Sequence, residues 1–272
     1  CVYCAVPPHE DAQGFASLDE VAAMVRAGAA VGCDRTILIG GEPTIYPHLD
    51  AVFDLLDDAG LRGGHIAMTN GLKLADAAFL DHLIARGLKT VHFSLDTLDG
   101  GLYARIARSS GKHPRQLTAL QHVLERSADG PDAALHVYIY TAVTRWNASR
   151  LPELVEGVAA MADTAGRAPP PIVLAVVKPL GDALRHADTL QLSPQQGVDA
   201  VRAAMDKAAA LDVPIGHRNL QACLAPELIA HNVDYYLDDH SVVVQSRERV
   251  PFAHTEYWHK PPAVCGGCGH EA

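Results

Sequence analysis

The chain has 272 residues, 49% of them hydrophobic and 20% charged, which is enough for one large domain with a self-sufficient core. With 22 Lys and Arg against 32 Asp and Glu, its formal net charge of −10 disfavours the clustered cations of a polyphosphate-binding surface, so no nucleic acid partner is expected. No apolar run approaches the roughly 18 residues that cross a bilayer, so no membrane partner is expected either.

Short β-branched runs alternate with Ala/Leu-rich stretches of helical length, the pattern of an α/β fold built from repeated βα units around a parallel sheet. The chain opens on Cys1-Val2-Tyr3-Cys4, two sulfurs spaced to face one metal, one cluster or each other. Helices are expected at 18–31, 49–59, 75–86, 115–127, 150–163 and 194–211, the first signalled by Ser17 ahead of Asp19 and Glu20, the last by Ser193-Pro194. Strands are expected at 36–39, 65–68, 90–94, 135–141 and 172–177. Gly40-Gly41-Glu42-Pro43 follows the first of them: two glycines let a ligand approach backbone, and a carboxylate accepts from an ammonium group. After the fifth strand the βα rhythm is expected to stop. A hairpin around Asp238-Asp239-His240 and a closing Cys265-Gly266-Gly267-Cys268 then form a small appendage, giving domains at 1–185 and 186–272. Six cysteines are too few for a disulfide scaffold and point to metal or redox chemistry in a reducing, cytoplasmic compartment. Cys33, alone between a helix and a strand, reads as a small buried hydrophobe.

Four ordered motifs carry a resemblance: CVYC, GGEP some 35 residues on, Met68-Thr69-Asn70-Gly71, and Ser94-Leu95-Asp96-Thr97-Leu98-Asp99. Together they resemble the radical S-adenosylmethionine (radical SAM) superfamily over roughly residues 1–180. The resemblance implies a partial (β/α)6 TIM-like barrel with its site at the C-terminal strand ends. It also implies a [4Fe–4S] cluster on a CxxxCxxC loop, with Cys1 and Cys4 as the last two ligands and Tyr3 packing near adenine. The first family cysteine is then expected four residues upstream of Cys1, and the first barrel strand before it, in a longer chain of which this sequence is a trimmed part.

Further roles follow from the same resemblance. Gly40, Gly41, Glu42 and Pro43 would bind the methionine ammonium of SAM. Thr69, Asn70, Ser94 and Asp96 would bond ribose, the methionine carboxylate or substrate, with Tyr3 and Asp96 the expected catalytic pair. For Thr69 and Asn70 the competing role is turn capping, and for Asp96 a helix N-cap. The motif SLDTLD followed by Leu102-Tyr103-Ala104-Arg105-Ile106 is closest to the branch holding the molybdenum-cofactor GTP cyclase and the SPASM/twitch maturases. Where that cyclase has a SAM-contacting lysine this chain has Tyr138, which passes carboxylate binding to Arg145 or Lys178. Cys223, Cys265 and Cys268 resemble an auxiliary [4Fe–4S] site of the twitch or SPASM type, with a fourth ligand expected beyond Ala272. Zinc held with His217 or His270 is the competing reading.

The expected activity is reductive cleavage of SAM to a 5′-deoxyadenosyl radical, which removes a hydrogen atom from a peptide precursor or small metabolite for oxidation, dehydrogenation or cross-linking. A flavodoxin or ferredoxin would supply the electron, through a local basic patch on an otherwise acidic chain. The alternative is a zinc- or iron–sulfur-containing binding or sensor protein on a degenerate barrel.

Overall fold

The computed structural model describes residues 1–4, 14–61, 64–128, 130 and 133–233. The sequence of elements is α1 (Leu18–Ala30), β1 (Thr36–Leu38), α2 (Leu49–Asp58), β2 (His65–Thr69), α3 (Ala77–Ala85), β3 (Leu88–Ser94), α4 (Gly100–Ala107), α5 (His113–Arg126), β4 (His136–Val143), α6 (Leu151–Thr164), β5 (Ile172–Val176), α7 (Asp182–Arg185), α8 (Ala187–Leu190), α9 (Pro194–Ala210) and β6 (Ile215–Arg218). α1, α3, α4 and α9 begin where side chains satisfy orphan backbone donors. Ser17 and Glu20 form a reciprocal capping box on α1, and Ser193 and Gln196 form another on α9.

All six strands are parallel and lie side by side in chain order, β1 to β6. The fold is thus an open parallel sheet wrapped by helices, an α/β partial barrel. Alternation along each strand separates two faces. Val91, Phe93 and Leu95 on β3 and its end, Val137 and Ile139 on β4, and Ile172 and Leu174 on β5 point to the helices and are almost fully buried. There they meet Leu120 and Leu124 of α5, Val155 and Val158 of α6, and Val201 and Ala204 of α9. Each such Leu, Ile, Val or Phe stabilises the fold by about 1.5–3 kcal/mol through burial. The intervening residues, His92, Ser94, Tyr138, Tyr140 and Arg218 among them, fall on the opposite, concave face and stay partly exposed.

One expectation changes. The βα rhythm does not stop after the fifth strand: α9 leads into β6, which pairs with β5 from Ile172↔Ile215 to Ala175↔Arg218. The sheet therefore runs past residue 186. Gly100–Ala107, outside the expected helices, forms one despite its paired glycines, because Asp99 accepts from Leu102 N at 2.7 Å and caps it. The hairpin, Cys265 and Cys268 lie outside the described residues. No described helix is long and apolar enough to cross a membrane.

Candidate active site

The C-terminal ends of the strands form one mouth, and side chains strap neighbouring ends together. Glu42, in the turn after β1, is the first strap. Its Oε1 accepts from Thr44 N (3.1 Å), Thr44 Oγ1 (2.6 Å) and Thr69 Oγ1 (2.6 Å), and its Oε2 from Asn70 N (2.8 Å). One carboxylate thus holds the GGEP turn to the end of β2. Among the described residues, a Cβ added at Gly40 or Gly41 would meet nothing within 4 Å. Gly71, next to Asn70, has φ +80°, and a Cβ there would sit 2.2 Å from the ring of Phe93. Only glycine fits that turn.

The second strap is Gln116 of α5, 4% exposed, whose Nε2 donates to the carbonyls of Asn70 and Ser94, each at 3.0 Å. The third is Asn147, 1% exposed: its Nδ2 donates to Asp96 O and Ala142 O, both at 2.9 Å, while its Oδ1 accepts from Thr144. Asn219 adds another, donating to Val176 O at 2.9 Å across β5 and β6. Amides suit this role because one planar NH2 serves two carbonyls at once. Such strapping fixes the loops that a ligand would touch, which is pre-organisation in the literal sense.

The loop at residues 1–4 is fastened to this mouth at three points. Val2 N donates to Ile106 O of α4 at 2.8 Å, Cys4 O accepts from Asp182 N at 2.8 Å, and Tyr3 Oη donates to Asp96 Oδ2 at 2.5 Å. The other oxygen of Asp96 accepts from Ala142 N at 2.9 Å. Burial pushes Asp96 up to about 6, although the hydrogen bonds from Tyr3 and Ala142 pull the other way. Burial, and then the neighbouring Asp96 carboxylate, raise the Tyr3 phenol well above its usual value. The turn closes with Cys4 N on Cys1 O at 3.2 Å, leaving Cys1 exposed and Cys4 half-buried, both reduced. Two soft sulfur donors separated by two residues on a closed turn are a fitting donor set for an iron–sulfur cluster and not for a hard cation.

Below the mouth, the concave face carries a polar aromatic wall. His92 packs edge-on to Tyr138 (5.3 Å between centroids) and stacks on Tyr140 (6.2 Å), whose hydroxyl accepts from Arg218 Nη1 at 2.6 Å. Burial, and then Arg218, lower the His92 pKa, so the ring is neutral at pH 7.

The structure thus brings together Cys1, Tyr3, Cys4, the 40–43 turn, Thr69, Asn70, Ser94 and Asp96. Thr69 and Asn70 do act as turn residues: Thr69 Oγ1 accepts from Gly71 N at 3.0 Å and Asn70 Oδ1 from Leu72 N at 2.9 Å. The N-cap alternative for Asp96 is corrected, since Asp99 takes that position and frees Asp96 for Tyr3. Arg145 does not join the group: its Nη1 donates to Asp188 O at 2.7 Å, toward α8. Cys223 is exposed in a short turn at Ala222–Leu224, and His217 is buried with Nε2 bonded to Leu228 O at 3.0 Å. Among the described residues no three His, Cys, Asp or Glu side chains cluster as a metal site. Sequence reasoning missed Gln116 and Asn147, which reach the mouth from elements whose own patterns are ordinary. It treated His92 as a default strand residue, although the i, i+2 run of Thr90, His92, Ser94 and Asp96 marks one polar face.

The family model for the radical SAM superfamily matches residues 1–158, more than half the chain. GTP 3′,8-cyclase 1 of Mycobacterium tuberculosis is 33% identical over 131 residues, 45% of this chain and 35% of the relative. A probable GTP 3′,8-cyclase of Methanopyrus kandleri is 27% identical over 181 residues, 66% of this chain and 53% of the relative. The chain therefore spans between about a third and a half of these relatives. Among solved structures, SuiB of Streptococcus suis bound to its precursor peptide SuiA matches with a TM-score of 0.62 at 15% identity, covering 90% of this chain and 50% of that one. At that identity the likeness is one of fold.

Proposed function

This chain belongs to the radical SAM superfamily, and from that premise we propose that it reductively cleaves S-adenosylmethionine and abstracts a hydrogen atom from a peptide precursor. The observation that carries the reading is the fastening of the 1–4 loop, through Tyr3, to Asp96 at the mouth that also holds the 40–43 turn. Cys1 and Cys4 would hold the cluster. With SAM, a [4Fe–4S] cluster held there would supply the one-electron chemistry of reductive sulfonium cleavage.

The chain's own residues bind and orient. Glu42 receives the ammonium group of SAM on Oε2, which carries a single internal donor. Gly40 and Gly41 offer backbone without side-chain obstruction, and Pro43 starts the turn that directs the chain away. Ser94 and the amide nitrogen of Asn70 address ribose or the methionine carboxylate. Tyr3 and Asp96 keep the cysteine loop in register with these groups and close the mouth to water. His92, Tyr138, Tyr140 and Arg218 face the substrate.

The peptide reading takes its support from SuiB, whose structure is described with its precursor peptide and whose fold likeness covers 90% of this chain; a small metabolite is the competing substrate. The segment past β6, with Cys223, Cys265 and Cys268, is assigned to an auxiliary [4Fe–4S] cluster, and the enzyme to the cytoplasm. The test is iron and sulfide per chain in anaerobically reconstituted full-length protein, with dithionite-driven formation of 5′-deoxyadenosine. About eight irons support two clusters, and about four leave the second site to zinc. Colourless protein with zinc alone and no SAM cleavage would instead establish the binding or sensor alternative.

A further inference from the structure

The concave face of the sheet is divided in character. On β1 and β2 it is apolar, with Ile37 paired to Ile66 and Met68 following on the same face. On β3 to β6 it is polar, and its groups fall in successive rows. Met68, His92 and Tyr138 share one row; Ser94, Tyr140, Val173 and Gly216 share the next toward the mouth; Ala142, Ala175 and Arg218 share the one after that. Ala142 N is the donor to Asp96 Oδ1. Arg218 therefore starts level with the Tyr3–Asp96 link, four strands round the sheet from Thr69 and its bond to Glu42.

From that row the half-buried Arg218 reaches one row deeper, where its Nη1 donates to Tyr140 Oη at 2.6 Å. The phenol thus holds one edge of the guanidinium plane over the concave face. His92 packs against both tyrosines, and its Nδ1 is buried with no hydrogen-bond partner among the described residues. A buried nitrogen left without a partner is costly to the fold, and this one sits on the same wall as a fixed cation. At the foot of the wall lies a cavity of about 260 Å³, lined by Tyr138, Val173, Ile215, Gly216, Ala230 and Val233. Those side chains are almost all apolar.

A guanidinium held in place, a neutral imidazole with a nitrogen to satisfy and an apolar hollow beside them fit one kind of group, a carboxylate next to an aliphatic side chain. We propose that Arg218, set by Tyr140 and assisted by His92, determines specificity by taking a carboxylate of the peptide substrate, from an acidic side chain or a free C-terminus, with the neighbouring aliphatic side chain in the hollow beside Tyr138. An isosteric amide would turn an NH2 toward the guanidinium, donor against donor, and be rejected. The methionine carboxylate of SAM is the competing occupant, but Glu42, Asn70 and Ser94, the groups assigned to SAM, stand at the ends of β1, β2 and β3, at least three strands from β6. The proposal deepens the peptide reading above and rests on it.

The experiment uses the full-length reconstituted holoprotein, loaded with SAM, and two pairs of synthetic peptides. Acetyl-Leu-Glu-Leu amide and acetyl-Leu-Gln-Leu amide test a side-chain carboxylate; acetyl-Ala-Leu with a free C-terminus and the same peptide as its amide test a terminal one. Affinities are read by ligand-observed NMR titration, and SAM affinity by calorimetry. In at least one pair the acid is expected to bind about tenfold tighter than its amide, which names the source of the carboxylate. That preference should fall below about twofold in Arg218→Gln, and to about threefold in Arg218→Lys, which keeps the charge without the planar fork, and in Tyr140→Phe. SAM affinity should change less than about twofold in each, and Arg26→Gln, the same charge change on the exposed face of α1, should keep the full preference. Circular dichroism and iron content check that each variant is folded and loaded. Equal affinity for acid and amide in both pairs, no binding of any of the peptides, a preference that survives in Arg218→Gln or in folded Tyr140→Phe, or a loss of SAM affinity as large as the loss of acid peptide would overturn the assignment. Wild-type protein that prefers the acids but forms no 5′-deoxyadenosine with dithionite would overturn the enzymatic reading alone.

Discussion

Tyr3 reaches across 93 residues of sequence to place its hydroxyl 2.5 Å from Asp96 Oδ2, tying the cysteine loop to the end of β3. The backbone bonds of Val2 and Cys4 hold the loop's ends, and the phenol adds a side-chain link from the loop to the site. Tyr3→Phe keeps the ring and removes that link, leaving Asp96 with its bond from Ala142 N. A loss of about 1–2 kcal/mol in loop docking is expected, because the buried carboxylate loses a donor. The measurement is cluster lifetime in air after reconstitution, together with the melting temperature. A several-fold shorter lifetime with a nearly unchanged fold is the expected outcome, and an unchanged lifetime would remove Tyr3 from this role.

The same pair sets a pH dependence in the cluster-free protein. Asp96 has its pKa raised from the ordinary 3.8 to about 6 in the folded chain, chiefly by burial. A carboxyl held above its unfolded value contributes stability that is complete below pH 3.8 and is lost as pH rises through about 6. The difference corresponds to about 3 kcal/mol between the two limits. Asp96→Asn lacks the titration, so its stability relative to wild type should rise between pH 4 and pH 8. Denaturant melts across that range test it, and a flat difference would show that Asp96 is not strained by burial.

Local chemistry was what the sequence could convey. CxxC spacing, the glycines of the 40–43 turn and the Ser17 cap act within a few residues, and each is where the pattern put it. Partners at long range were not legible: nothing around Gln116 announces that it bonds Asn70 and Ser94, 46 and 22 residues away. SLDTLD offered two aspartates for two roles, and only the approach of Tyr3 separated Asp96 from the capping residue Asp99. β6 escaped because Ile215–Arg218 is four residues with one β-branched side chain, and its identity as a strand comes from pairing with β5.

Glu42 gathers four donors on its carboxylate at the mouth. Glu42→Gln keeps the size but replaces one accepting oxygen by an NH2 that would face Asn70 N or the threonine hydroxyls, donor against donor. The turn would loosen and the proposed ammonium acceptor would lose its charge. SAM affinity is expected to drop at least tenfold, by calorimetry on reconstituted protein, with a melting temperature a few degrees lower. Retention of full SAM affinity would move the ammonium site elsewhere on the 40–43 turn.

Gly71 joins the end of β2 to the turn over Leu72–Ala75, with φ +80°. Two costs meet there in Gly71→Ala. The left-handed backbone costs about 1 kcal/mol for a residue bearing a Cβ. The methyl would also lie 2.2 Å from the Phe93 ring, which is fully buried. Forcing such an overlap typically costs about 1–3 kcal/mol. The sum, about 2–4 kcal/mol, is read as a lowered midpoint in a urea melt. Phe93→Leu in the same chain removes the ring and should recover part of the loss, beyond what adding the two single effects gives. Additive losses in the double variant would mean that backbone strain alone, and not the contact with Phe93, requires glycine at this turn.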